Sequence, residues 1–475
     1  MGDTGMMIGA TALRAQFARR LSDLYGREVP AYTTLLQVSR EVNDQVLSRD
    51  AAAAQQFGSI DRVTAERHGA IRVGTPRELR QVTRIFAALG MYPTGFYDLR
   101  TVGSQPVPVI STAFRPHDRD ELAANPFRVF TSMLVPQDRR FFDADLEQRL
   151  LRFLDARELF APQLLALADR AVAAGGLSAD DAGTFMELAA AAFALSPEPV
   201  DRGWYEELQA VSGVAADIGG VGSTHINHLT PRVLDIDDLY ASMQTRGVQM
   251  IDQIQGPPRW SGPDVLLRQT SFKALAEPRT FRESDGRVTG GALRVRFGEV
   301  EARGVALTAR GRDRYERLGA EVDRRCGERP DMDRSQVAQD VWSNGFPVTM
   351  AGLARTDLAY FTYDVAQRPG DGTQPPASLT QLLDGGWLRP NPIVYEDFLP
   401  RSAAGIFASN LGGEGDDNDR VTREGGAPRD REWLAAAIRS PILQPDSAYT
   451  REQATSLDSA AQALGLDPSL LGSRR

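Results

Sequence analysis

Apolar residues recur at helical spacing in the first part of the chain. Phe17 and Leu21 fall on one face of a helix, and the pattern predicts helices over residues 10–57. From about residue 66 the pattern changes to short apolar runs bounded by turn residues, which is typical of strands. The sequence therefore predicts an N-terminal helical region over 1–65, followed by a mixed α and β module over 66–135.

This first module contains a strongly marked helix start. Thr75 is followed directly by Pro76 and, three residues on, by Glu78. These residues form a capping box with proline at the first helical position, and Gly90 is suited to end the helix. The predicted order along the chain is β-α-β-β-β, with strands at 68–73, 92–97, 107–114 and 127–134.

A second module of the same kind is predicted over 221–305, after a leucine- and alanine-rich helical insertion over 136–220. Asp235 is the predicted N-cap of its helix. A Ser-Asp-Gly turn at 284–286 is predicted to join its last two strands. The four strands are predicted at 225–230, 248–254, 265–272 and 291–301.

The two modules share a register of polar residues. His68 stands seven residues before the N-cap Thr75, and His228 stands seven before Asp235. An arginine follows each histidine by four residues, so the landmarks indicate an internal repeat. The predicted fold class is α+β, with two βαβββ modules whose mixed sheets curl toward one another and a mainly helical C-terminal region over 306–475.

Composition and charge favour a protein that acts on small molecules. The net charge is −9 and no basic stripe is present, which argues against nucleic-acid binding. No stretch approaches the roughly 18 apolar residues of a membrane span, and the N-terminus lacks the pattern of a signal peptide. A single cysteine, Cys326, excludes a disulfide framework. We therefore expect a cytoplasmic protein with no membrane or nucleic-acid partner.

Two of the four histidines, His68 and His228, occupy the same place in the repeat. We expect them to converge where the modules meet, and a carboxylate on the last strand would complete a set of two histidines and one carboxylate. Glu299 and Glu301 both qualify, because alternate residues of a strand share a face. Such a set leaves metal positions open and is typical of non-haem Fe(II). The alternative is that these histidines are structural and the glutamates exposed.

Two further polar residues are candidates for supporting roles. Lys273 is the one lysine among 54 basic residues, so it is a candidate contact for a carboxylate where a guanidinium does not fit. The alternative is an ordinary surface lysine. His225, three residues before His228, is predicted to face away from the metal and to support it indirectly or to be structural.

Five motifs stand in order along the chain: His-Gly-Ala-Ile-Arg at 68–72, His-Ile-Asn-His-Leu-Thr-Pro-Arg at 225–232, Leu-Leu-Arg-Gln-Thr-Ser-Phe-Lys-Ala-Leu at 266–275, Arg-Phe-Gly-Glu-Val-Glu at 296–301 and Val-Tyr-Glu-Asp-Phe-Leu-Pro at 394–400. Together they resemble the 2-oxoadipate dioxygenase/decarboxylase family over nearly the whole chain. The resemblance implies a VOC-like Fe(II) enzyme that converts 2-oxoadipate and O₂ into (R)-2-hydroxyglutarate and CO₂ in lysine catabolism.

Carried onto this sequence, the resemblance implies His68, His228 and Glu299 as the Fe(II) ligands. It also implies Arg72 as a substrate-binding residue. The preference for Glu299 over Glu301 comes from the resemblance, since spacing does not distinguish the two glutamates.

The segment after the last motif bears on the substrate. Arg401 and Ser402 are further candidate substrate contacts, and the family pattern has a small apolar residue where this chain has Arg401. A contact through the backbone of Arg401 would leave the expected substrate unchanged. An arginine side chain that points inward would instead favour a different acid. The residues predicted to support the metal ligands are His225, Glu301 and Arg268.

Two other classes of function remain open on the sequence alone. A metal-dependent isomerase or lyase of the same fold, acting on a related 2-oxo acid, would use a fourth protein ligand in place of an open metal position. A non-catalytic protein of this fold would bind a small molecule without a metal triad. The 2-oxo acid and O₂ are the partners expected for the dioxygenase.

Overall fold

A computed structural model of the chain describes residues 7–49, 60–102, 106–294, 296–366, 374–400, 402, 410 and 428–471. The chain begins with helices α1 (Ala10–Glu28), α2 (Pro30–Arg49) and α3 (Ile60–Ala65). Phe17 and Leu21 are buried on α1, as their helical spacing predicts. The helical pattern is confirmed up to residue 49, and residues 50–57 of the predicted helical region lie outside the described residues.

The first module has the predicted β-α-β-β-β order. The capping box is present: the Glu78 amide donates to the Thr75 hydroxyl at 3.2 Å, and the Thr75 amide donates to the Glu78 carboxylate at 3.2 Å. A short helix, α5 (Arg119–Ala124), lies between the last two strands. The elements are β1 (Arg67–Val73), α4 (Pro76–Ala88), β2 (Tyr92–Asp98), β3 (Val109–Arg115), α5 (Arg119–Ala124) and β4 (Arg128–Leu134).

Five strands form one mixed sheet in the order β2-β3-β4-β1-β6, where β6 (His228–Pro231) is the first strand of the second module. β1 runs parallel to β4 and antiparallel to β6. One face of this sheet packs on α4, where the rings of Phe86 and Phe114 lie 5.1 Å apart. The modules are therefore joined edge to edge through their first strands, and the opposite face of the sheet carries His68 and His228.

The second module repeats this arrangement with shorter strands. Asp235 caps helix α11 (Ile236–Thr245), as predicted. The strands β7 (Leu267–Ser271) and β10 (Glu299–Arg303) pair antiparallel, and an isolated parallel bridge joins Arg232 to Glu301. β10 thus stands beside the first strand of its own module, as β4 stands beside β1.

Three strand predictions for this module are wrong in detail. The strand predicted over 225–230 begins only at residue 228. The strand predicted over 248–254 is reduced to isolated bridges from Met250 and Gln255 to the β7 segment. The strand predicted over 291–301 is divided between two sheets.

A hairpin accounts for that division. The turn at 284–286 does not link β7 to β10; it closes a hairpin between β8 (Glu277–Arg282) and β9 (Val288–Leu293). β8 also pairs with the short strand β5 (Val200–Asp201) of the insertion. The sequence pattern missed this hairpin because both strands are largely exposed and lack a continuous apolar face.

The insertion between the modules is mainly helical. Its last helix packs against β1, which brings the insertion to the edge of the candidate site. Its helices are α6 (Ala144–Ala156), α7 (Pro162–Ala174), α8 (Ala179–Ala192), α9 (Arg202–Val211) and α10 (Gly213–Gly219).

In its described residues, the C-terminal part is mainly helical and contains one two-stranded sheet that the pattern missed. β11 (Phe361–Val365) pairs antiparallel with β12 (Leu388–Pro392), whose two prolines are unfavourable in a strand. No helix in the described ranges is both long and apolar enough to cross a membrane. The helices are α12 (Ala309–Glu328), α13 (Arg334–Gly345), α14 (Met350–Arg355), α15 (Leu379–Asp384), α16 (Arg431–Ile438) and α17 (Pro445–Leu464).

Candidate metal centre and substrate site

His68 and His228 lie side by side on the two antiparallel strands that join the modules. In this pairing Ala70 is opposite His228, and His68 is opposite Thr230. Residues paired across strands share a face of the sheet. The two imidazole rings are 5.4 Å apart between centroids and nearly perpendicular. Strand pairing therefore brings the two repeat histidines together.

The Glu299 carboxylate faces both histidines from β10. Its Oε2 lies 3.2 Å from Nε2 of His228 and 3.8 Å from Nε2 of His68. All three side chains are buried, and their potential ligand atoms lie within 4.8 Å of one another. Two imidazole nitrogens and one carboxylate oxygen suit a first-row divalent metal. These residues form a candidate metal centre.

Glu301 contacts the other ring nitrogen of His68. Its Oε2 lies 2.8 Å from His68 Nδ1. Arg303 donates two hydrogen bonds, of 2.8 and 2.9 Å, to the Glu301 carboxylate. Burial opposes ionisation of Glu301, but the charges of Arg303 and His68 lower the pKa of this carboxyl group. A carboxylate at this place favours a proton on Nδ1 and leaves Nε2 of His68 available to a metal.

The other two ligands have partners of the same kind. Nδ1 of His228 lies 3.0 Å from the Thr230 hydroxyl, so Nε2 is the nitrogen that faces Glu299. The side-chain amide of Gln269, on β7, donates to Oε1 of Glu299. Each candidate ligand is thus held through the atom that does not face the centre, an arrangement that would orient the other atom toward a metal.

Aromatic rings and burial set the electrostatics of the centre. Phe297 stacks on His228 at 5.3 Å, and Phe398 packs edge-on against His68 at 5.0 Å. Burial lowers the pKa of His228 well below its usual value and raises the pKa of Glu299. His228 is therefore a neutral side chain at neutral pH, as a metal ligand must be, and a divalent cation would offset the cost of burying the carboxylate of Glu299.

Arg72 lies on β1 four residues after His68, and therefore on the same face of the sheet. Its Nη1 donates to the carboxylate of Asp217 on α10, and its carbonyl oxygen accepts from the Thr224 hydroxyl at 2.7 Å. After burial and the charge of His68, the charge of Arg72 is a further cause of the lowered pKa of His228. This position agrees with the predicted role in binding a carboxylate, which stays a prediction.

The family of this chain follows from comparison with known proteins. The model of the 2-oxoadipate dioxygenase/decarboxylase family matches residues 17–410. The chain belongs to that family. A member from Mycobacterium tuberculosis (strain ATCC 25618 / H37Rv) is 57% identical over 441 residues, covering 92% of this chain and 95% of the relative. A member from Escherichia coli (strain K12) is 39% identical over 455 residues, covering 93% and 96% respectively.

The solved structure of a similar protein has the same fold as this chain. Hydroxyglutarate synthase from Pseudomonas putida, in complex with 2-oxoadipate, superposes with a TM-score of 0.80 at 36% identity. The match covers 97% of this chain and 99% of that chain. The family resemblance and the α+β fold class predicted from the sequence are therefore confirmed.

Two predicted residues of this family member have ion-pair partners other than the candidate metal ligands. Lys273 lies 3.3 Å from Asp252, and its side chain is 47% exposed. Arg268 donates to Asp237 at 2.6 and 3.0 Å. Within the described residues, neither side chain forms a hydrogen bond or ion pair with the metal ligands. The positions of Lys273 and Arg268 give no support to their predicted roles.

The remaining predicted residues are His225, Ser402 and Arg401. Nε2 of His225 lies 3.3 Å from Asp217 and 3.1 Å from the side-chain amide of Asn227. Burial lowers the pKa of His225 to about 4. Ser402 is buried. Arg401 lies outside the described residues, so its predicted substrate contact stays a prediction.

The sequence analysis did not predict three residues that lie at the site. Thr230 was open to inference, because it stands two residues after His228 on the same face of a strand. Gln269 is adjacent to Arg268, the predicted residue, and only the pairing of β7 with β10 shows which of the two side chains approaches Glu299. Asp217 comes from the helical insertion, where no local pattern marks it.

Proposed function

We propose that this chain is an Fe(II)-dependent 2-oxoadipate dioxygenase/decarboxylase that converts 2-oxoadipate and O₂ into 2-hydroxyglutarate and CO₂. The observation that carries the proposal is the convergence of Nε2 of His68, Nε2 of His228 and a carboxylate oxygen of Glu299 in a buried centre. Such a donor set leaves open metal positions. Family membership and the likeness to an enzyme whose structure holds 2-oxoadipate support the choice of substrate.

The donor set fits Fe²⁺. His68 and His228 present Nε2 because Glu301 and Thr230 occupy the opposite nitrogens. The single carboxylate of Glu299 leaves a net positive charge at the centre once a divalent metal is bound, which suits an anionic substrate. Bound Fe(II) would supply positions for the 2-oxo acid and O₂, together with the redox chemistry that couples them.

The protein's own residues bind and orient the substrate and shield the metal centre from water. Arg72 presents a planar guanidinium, which matches a carboxylate with two parallel hydrogen bonds better than an ammonium does. Phe297 and Phe398 pack against the two imidazole rings and limit water around them. The buried centre therefore favours the bound acid over solvent as the reacting partner.

The overall reaction balances without a further reductant. The bond between C1 and the keto carbon breaks, and C1 leaves as CO₂. One oxygen atom enters the new carboxylate, and the other becomes a hydroxyl group on the adjacent carbon of the same molecule. The (R) configuration of the product and a place in lysine catabolism are proposed from the family resemblance. A cytoplasmic location is proposed from the sequence composition.

Oxygen uptake against a panel of 2-oxo acids tests this proposal. The purified protein is reconstituted anaerobically with Fe(II) and offered 2-oxoadipate, 2-oxoglutarate or 2-oxohexanoate. With 2-oxoadipate we expect one CO₂ per O₂, and ¹⁸O from labelled O₂ in the new carboxylate of 2-hydroxyglutarate. Plain glutarate as the main product would contradict the hydroxylation. A metal-dependent isomerised product without O₂ consumption would instead place the chain among the isomerases.

A further inference from the structure

A buried polar cluster lies beside the metal centre and is centred on Asp217. Asp217 Oδ2 accepts from Nη1 of Arg72 and, at 2.9 Å, from the side-chain amide of Asn227. Its Oδ1 lies 3.3 Å from Nε2 of His225. All four side chains are buried. Asp217 is thus the common partner of an arginine, an amide and a histidine.

The cluster connects three separate segments of the chain. Asp217 belongs to α10 of the helical insertion, which packs against β1, the strand that carries Arg72. Asn227 directly precedes the metal ligand His228, and its backbone amide donates to the carbonyl oxygen of Ala70 at 2.8 Å. One carboxylate therefore links the insertion to the first strands of both modules.

The geometry constrains the arginine in particular. Arg72 stands four residues from His68 on one strand, a distance of ~13 Å along the backbone. Its long side chain must therefore point toward the metal centre to contact a substrate bound there. An unsupported arginine of this kind has many rotamers and loses that freedom when it binds. A partner that restricts it beforehand strengthens binding.

We propose that Asp217 is a positioning residue that holds the guanidinium of Arg72 in the orientation that binds a carboxylate of the 2-oxo acid. The inference rests on the proposed function and adds a residue from the insertion to the substrate site. The alternative role for the pair is structural, as for other buried ion pairs that stabilise a fold. The two roles differ in which kinetic constant they affect.

The substitution Asp217→Asn removes the charge and retains the size of the side chain. In the Fe(II)-loaded protein we expect KM for 2-oxoadipate to rise about 10-fold or more, since a charge-assisted contact is lost, with a smaller change in kcat and unchanged iron content. The affinity for 2-oxohexanoate, which lacks the distal carboxylate, locates the contact. If Asp217→Asn loses more affinity for 2-oxoadipate than for 2-oxohexanoate, Arg72 binds the distal carboxylate. Equal losses of affinity for the two acids assign Arg72 to the carboxylate beside the keto group.

A double-mutant cycle tests whether Asp217 acts through Arg72. In an Arg72→Ala background, Asp217→Asn should add no further increase in KM, because the group it positions is absent. The matched control is Asp138→Asn, which removes another buried carboxylate, paired with Arg100 and Arg140. That variant is expected to lose stability and to retain the wild-type KM.

Two outcomes would overturn the inference. The first is an unchanged KM in Asp217→Asn, with kcat, iron content and melting temperature falling together as in a purely structural pair. The second is an additional KM increase in the double variant. Absence of O₂ consumption by the wild type with every 2-oxo acid would contradict the proposed function instead, so the two failures are distinguishable.

Discussion

The carboxylate of Glu301 lies 2.8 Å from Nδ1 of His68. Glu299, two residues earlier on the same strand, faces Nε2 of His68 and of His228. The two glutamates share a face of β10 and approach opposite nitrogens of one imidazole ring. This geometry favours Glu299 as the metal ligand and Glu301 as the residue that orients His68.

Glu301→Gln should weaken Fe(II) binding without abolishing it. The amide retains the size of the side chain but is a weaker acceptor for the Nδ1 proton of His68, and loss of such a partner typically costs 10- to 100-fold in metal affinity. Anaerobic titration against a competing chelator measures the change. In the same assay Glu299→Gln should show much weaker binding than Glu301→Gln, and the reverse ranking would contradict the assignment.

His68→Ala, His228→Ala and Glu299→Ala should each abolish iron binding and turnover, since each removes one of three converging ligands. Metal content after anaerobic reconstitution and O₂ uptake are the measurements. His117→Ala is the control, because His117 lies on a loop and contacts Thr94. Full iron occupancy in any of the three ligand variants would show that the centre is assembled differently.

Arg72→Lys should weaken substrate binding by about 1.5–3 kcal/mol, as expected for a lost hydrogen bond to a charged group. The charge is retained, but an ammonium does not reproduce a bidentate contact. The ratio kcat/KM for 2-oxoadipate measures the loss. Lys273→Arg should leave this ratio unchanged, because Lys273 is half exposed and lies beside Asp252. A normal KM in Arg72→Lys would argue against a guanidinium contact.

His225 should make the metal-free protein less stable as the pH falls. Burial lowers its pKa to about 4 in the folded state, whereas a histidine in an unfolded chain has a pKa of about 6.5. Between these pH values the unfolded state binds more protons, so the free energy of unfolding decreases toward acid, by about 2 kcal/mol at pH 5.

Chemical denaturation at pH 7.5 and pH 5 measures this dependence. The substitution His225→Asn removes the titrating group, so the difference in unfolding free energy between the two pH values should shrink. Only the pH dependence is compared, because the substitution itself will lower stability at both values. An identical dependence in the two proteins would mean that His225 is not buried in its neutral form.

Local chemistry made part of this molecule predictable. The capping box of Thr75 and Glu78 depends on residues three apart, and its helix lies where the pattern predicts. The repeat register singled out His68 and His228 because both stand at the same distance from a helix N-cap. These signals need no knowledge of distant contacts, since each is contained within a few turns of backbone.

The metal centre depends on information of a different kind. Alternation along a strand cannot separate Glu299 from Glu301, and only the packing of β10 against the two histidines assigns each carboxylate to a nitrogen. The family resemblance gave the same preference, but it gave no physical reason for it. The reason lies in the fold, where Arg303 and His68 hold Glu301 on the far side of the ring.

By itself, the sequence determined the helix starts, the βαβββ order of the first module and the pair of histidines, because periodicity and spacing along the chain encode them directly. Tertiary structure alone decided that Gln269 rather than Arg268 supports Glu299, that Lys273 lies at the surface, and that Asp217 reaches Arg72 from the insertion. Strand register and the docking of α10 set these contacts. Both depend on residues far apart in sequence, so no local pattern carries them.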